Sequence, residues 1–140
     1  MSQSDYEIIF PVYAEYRLIK HIPRRIISAI DLELLPFLKP DDDEDCINGH
    51  ELRHRAIELE ANYGHEDAEW LVEQQNQLST EFRPFHLLFP ATIRKDLLTD
   101  EEYITCLEFS NGLWQISSLW LALDFDSHDR LVRPKRDLYL

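Results

Sequence analysis

Val12, Ala14, Tyr16 and Leu18 alternate with Tyr13, Glu15 and Arg17, and Tyr6, Ile8, Ile9 and Phe10 stand ahead of them. That period of two predicts a strand or bent strand pair over 6–19. Pro11 has no N–H to donate, which places it at a sheet edge or a bulge. Next, Ile22, Ile26, Ile27, Ile30 and Leu34 fall on one stripe at helical spacing. With Pro23 suited to a first turn and Pro36 as a stop, this predicts a helix over 23–35.

The run Asp41-Asp42-Asp43-Glu44-Asp45 repels itself and carries no apolar pattern, so it reads as an exposed loop or helix lead-in. Leu52, Ala56, Ile57 and Leu59 predict a second helix over 50–63 with Gly64 as its end, and Trp70, Leu71 and Leu78 predict a third over 66–78.

Two rules compete around Asn111-Gly112. Asn-Gly is a strong signal for a two-residue hairpin turn. Pairing across it matches Phe109 with Trp114, Leu107 with Ile116, Thr105 with Ser118 and Tyr103 with Trp120 on one face, and Glu108 with Gln115 and Cys106 with Ser117 on the other. Against that, Thr99 and Glu102 form a capping-box pattern and Tyr103, Ile104 and Leu107 are helix-spaced, with Gly112 as C-terminal cap. The hairpin is the reading adopted and the helix its alternative. Leu119 to Phe125 continues as a strand, and Asp126-Ser127-His128-Asp129 has turn chemistry before Arg130-Leu131-Val132. The expected class is α+β in a single domain over 1–140: an antiparallel sheet of the N-terminal strand and a C-terminal meander, with a central group of about three helices.

Composition narrows this further. With 44% hydrophobic residues in 140, the chain has the material for one core. Residues 1–10 have neither the basic start nor the apolar segment of a signal peptide, and no apolar run approaches a membrane span, so the expected compartment is the cytoplasm. Cys46 and Cys106 lack a Cys-x-x-Cys spacing and are expected to be free. The aromatic residues Trp70, Trp114, Trp120, Phe82, Phe85 and Phe89 are expected in the core.

The formal net charge is −13, from 27 acidic against 14 basic residues. Residues 41–69 carry eleven carboxylates against Arg53 and Arg55, and residues 96–129 carry eight with no Lys or Arg. Such a surface argues against nucleic acid as a direct ligand. It suits a positively charged protein partner, drawn in by the long-range field.

One string has catalytic spacing. His50-Glu51-Leu52-Arg53-His54 resembles the H-E-x-x-H zinc metallopeptidase motif, in which two imidazoles one helical turn apart bind zinc and the glutamate polarises a metal-bound water. Glu66, Asp67 and Glu69 are candidate third ligands, Glu69 foremost. Glu60 and Ile57 stand where the metzincin extension has His and Gly. An EF-hand alignment on Gly49 puts Arg55 at the bidentate Glu position, which excludes it. There is no Gly-rich phosphate loop and no nucleophile elbow.

The stretch from Thr99 to Gly112, with Glu102-Tyr103 and then Asn111-Gly112, is similar to a passage of the SUKH superfamily of bacterial immunity proteins, without that family's leading Pro. The leading functional expectation is a non-catalytic acidic module that inhibits or masks a basic protein, such as a toxin or a nucleic-acid-binding protein, in the manner of an immunity protein, antitoxin or anti-defence inhibitor. Its contact residues would be Asp41, Asp42, Asp43, Asp45, Glu66, Asp67, Glu69, Asp124 and Asp126, with no cofactor. The alternative is a zinc-dependent hydrolase built on His50, His54 and Glu69.

Overall fold

The centre of the molecule is β4 (His86–Asp96), buried along almost its whole length. The structure, a computed structural model, describes residues 16–136; the expected strand residues 6–15 lie outside the described residues. On one edge β4 pairs antiparallel with β5 (Glu102–Ser110), the register breaking between Phe89 and Ile93 where Pro90 cannot donate. On its other edge the strand has two partners. Its first half runs parallel to β8 (Asp129–Pro134), and its second half runs antiparallel to β1 (Tyr16–Lys20). β2 (Leu32–Leu35) adds to the far side of β8, and β6 (Leu113–Trp120) closes the sheet beyond β5.

The β5–β6 hairpin has the register predicted from sequence, Tyr103 facing Trp120 through to Phe109 facing Trp114. Asn111 and Gly112 both take positive φ (53° and 79°), as the tight hairpin turn demands. Phe109 and Trp114 meet edge to face at 5.5 Å. Of the expected C-terminal meander, the β5–β6 hairpin forms. The chain then leaves the sheet to pair β7 (Asp124–Phe125) with β3 (Ile47–Asn48), and β8 crosses to the opposite side of β4.

Neighbouring residues on each strand point to opposite faces, and each face carries one helix. Leu88, Ile93, Ile104, Cys106 and Leu131 pack with Leu52 and Ala56 of α1 (Gly49–Glu58). Leu87, Phe89, Leu107, Trp114 and Val132 pack with Ala68 and Leu71 of α2 (His65–Glu73). The class is mixed α+β with a mostly antiparallel sheet and two helices among the described residues, rather than three.

The helix expected over 23–35 does not form. Ile26 and Leu32 are buried, but Ile27 and Ile30 are 85% and 66% exposed, so the apolar stripe has no common face to cover. The backbone N–H groups of Arg25 and Ile26 instead donate to the Asp67 carboxylate, each at 2.8 Å, and residues 32–35 join the sheet.

The other two helices are shorter than expected. α1 stops at Glu58 because Glu60 adopts φ 56°, with Glu60 N–H donating to Ile57 and Ala61 N–H to Ala56, a Schellman ending. α2 stops at Glu73 and passes into a 3₁₀ turn at Gln75–Gln77. Of the expected core aromatics, Phe89 and Trp114 are buried and Trp70, Phe82 and Phe85 pack against the core, whereas Trp120 is 39% exposed because it ends the edge strand.

Candidate functional site

The acidic run forms a tight turn at Asp43–Asp45 in which Glu44 and Asp45 both take φ 55°, a left-handed backbone that side chains other than Gly or Asn adopt reluctantly. One member of the run holds this turn to the body of the protein. Asp42 accepts two hydrogen bonds from the Arg55 guanidinium, at 2.7 and 2.8 Å, and one from the Lys39 backbone N–H. Arg55 is itself buried, and also donates to the Phe37 carbonyl and to Glu51. The Arg55 hydrogen bonds, then the Lys39 N–H, hold the Asp42 carboxyl down at about 2.

With Asp42 committed, Asp41, Asp43, Glu44 and Asp45 remain exposed. The next residues, Ile47 and Asn48, pair with Phe125 and Asp124. That two-strand ribbon brings Asp124 and Asp126, both exposed, alongside the acidic turn from the far end of the sequence. Cys46 registers the convergence. Burial raises its thiol pKa first, and the charges of Asp124, Glu44, Asp126 and Asp42 raise it further. Beside this rim, the turn after β6 exposes Trp120 and Leu123, joined by a Leu123 N–H to Trp120 carbonyl hydrogen bond.

The acidic start of α2 is different in kind. Asp67 is 0% exposed, and its carboxylate accepts from the backbone N–H groups of Arg25, Ile26 and Gly64. Glu66 meets His21 at 2.5 Å, and Glu69 is largely buried next to the fully buried His65 at 3.6 Å. Of the expected contact residues, Asp42 and Asp67 are internal fasteners and Glu69 is largely buried beside His65, while Glu66 is half-exposed and paired with His21.

His50 and His54 lie exposed on α1, where His54 pairs with Glu58 at 3.3 Å. Glu51, the expected base, accepts from Arg55, and its backbone N–H is capped by the Asn48 side chain. Glu69 belongs to α2 on the opposite face of the sheet, so the fold does not bring it to the two histidines. Among the described residues no group of three or more His, Cys, Asp or Glu side chains is placed to hold a metal ion. Cys46 and Cys106 are both free, and burial pushes the Cys106 thiol up to about 12, far from a reactive thiolate.

Sequence reasoning missed three features. Glu44 was passed over although it sits in the run. Trp120 was read as core, and only its place at the end of an edge strand reveals otherwise. The β3–β7 ribbon was not foreseen, since two residues carry no periodic signal. No helix among the described residues is long and apolar enough to cross a membrane. In comparisons with known protein families, curated proteins and solved structures, nothing matches this chain.

Proposed function

We propose that this chain is a non-catalytic protein-binding module that masks a basic partner, in the manner of an immunity protein, antitoxin or anti-defence inhibitor. One observation carries the reading: Asp41, Asp43, Glu44 and Asp45 converge with Asp124 and Asp126 on one rim, and all six are exposed. A rim of one sign accelerates encounter with an oppositely charged protein, while Trp120 and Leu123 beside it offer the apolar anchor that slows dissociation. A cleft that normally receives nucleic-acid phosphates is the kind of surface such a rim fits.

The test is association kinetics with the product of the adjacent reading frame, measured across a series of salt concentrations. Replacing Asp41, Asp43 and Asp45 with Asn and Glu44 with Gln should slow association and flatten its salt dependence, while Trp120→Ala should raise the dissociation rate. Unchanged kinetics in both variants would refute the rim as the contact surface. For a partner encoded elsewhere, polylysine is the probe of the electrostatic half, and it should bind wild type but not the neutralised variant.

A further inference from the structure

In a chain of net charge −13, one cleft has the opposite sign. It encloses about 430 Å³ between the end of β1, the segment that follows it, the outer side of α1 and the irregular middle of β4, and it is lined by Ile19, Lys20, His21, Ile22, Arg53, Ile57, Asn62, Pro90 and Ala91. Among the described residues no carboxylate is in that lining, although acidic residues outnumber basic ones about two to one in the sequence.

The other cations nearby are committed. Arg55 holds Asp42, Arg133 holds Glu33, Lys95 faces Asp100, and Arg24 and Arg25 lie over Trp70 and Tyr63. Lys20 and Arg53 enter none of these contacts, and the local sequence explains why. Arg53 has Gly49, His50, Ala56 and Ile57 at its three- and four-residue helical neighbours, so it lacks the helical carboxylate that Arg55 finds in Glu51 and His54 finds in Glu58. Lys20 stands opposite Ile93 on the neighbouring strand. Further along, Arg17 faces Lys95 and Leu18 faces Arg94.

His21 forms one wall. Its Nε2 meets Glu66 and its Nδ1 lies 3.5 Å from the Thr92 hydroxyl, which orients the ring. Asn62 adds one amide, and the rest of the lining is aliphatic. Two cations with no ion pair among the described residues, beside a branched apolar surface and in a volume within the roughly 300–1,000 Å³ of small-molecule sites, define a ligand with both an anionic end and a hydrocarbon body.

We infer that this cleft binds a small amphipathic organic acid, its carboxylate held by Lys20 and Arg53 and its apolar body lying on Ile19, Ile22, Ile57 and Pro90. The inference is independent of the acidic rim: α1 turns Arg55 toward the acidic turn, and Arg53 lines the cleft.

Octanoate is the probe, titrated into the full chain by calorimetry and followed by backbone amide shifts, with octanol and inorganic phosphate as controls. Saturable octanoate binding is expected, with shifts centred on Ile19–Ile22, Arg53, Ile57 and Ala91. The Lys20→Gln/Arg53→Gln double variant changes exposed or half-exposed side chains, keeps its melting temperature and loses about tenfold or more in octanoate affinity. Ile57→Asp, which tests the apolar half, should lose as much. Octanoate affinity unchanged in the double variant, no saturable binding, or phosphate or octanol binding as tightly as octanoate would each overturn the assignment.

Discussion

The run 41–45 and the start of α2 look alike as strings of aspartate and glutamate, yet four of the five carboxylates in the first face water, while in the second Asp67 is fully enclosed and Glu66 and Glu69 are paired. The difference lies in what each backbone needs. At 41–45 the chain turns at the surface, and a single carboxylate, Asp42, ties the turn down through Arg55. At 65–73 a helix begins against an extended segment whose own N–H groups have no strand to pair with, and Asp67 satisfies both. A carboxylate is therefore either a field source or a fastener, and its neighbours in space decide which.

The largest break in that contrast comes from Asp67→Ala. Three backbone donors, among them that of the buried Ile26, lose their acceptor, and the cost should reach about 3–5 kcal/mol in denaturant unfolding. Asp67→Asn retains an acceptor oxygen and should recover part of it. A loss below about 1 kcal/mol for the alanine variant would place Asp67 with the surface charges instead.

Gly49→Ala acts on the rim's geometry. A Cβ there would stand 2.0 Å from the Leu121 carbonyl oxygen, so α1 and the turn carrying Leu123 and Asp124 must move apart at a cost of about 1–3 kcal/mol. Partner association should weaken with it, although no charge has changed.

Asp42 separates the two roles by pH. Its folded value of about 2 lies below the ordinary 3.8, so its contribution is fully present above pH 3.8 and is lost as pH falls through about 2. Acid titration of stability should therefore be shallower over that window in Asp42→Asn than in wild type, and the same variant should be less stable at neutral pH. The smallest effect belongs to the four-residue neutralisation of Asp41, Asp43, Glu44 and Asp45. Its melting temperature should stay within about 2 °C of wild type at moderate salt while association slows.

Much of this architecture could be read from residues. The hairpin was legible because alternation and the Asn-Gly turn agree at every position from Tyr103 to Trp120. β4 was not, because a strand covered on both faces loses its period of two, and Pro90, Arg94 and Lys95 further disguise it. The stripe over 22–34 was overread as a helix, since its fate depends on Asp67, more than thirty residues away. The same limit applied to the site. Asp67 carries a local hint, three residues after Gly64 at a helix start, in the position of a capping acid. Nothing local to Asp42 announces Arg55.

The ribbon joining Ile47-Asn48 to Asp124-Phe125 has a consequence for timing. Contacts so distant in sequence close late and lengthen folding, and β4 likewise lacks one neighbour until β8 has been made. During synthesis, the emerging chain would carry its acidic turn without the second half of the rim until nearly the last of the described residues had left the ribosome. If the chain masks a partner as proposed, a nascent or clipped fragment without Asp124 and Asp126 would be a poor competitor for it.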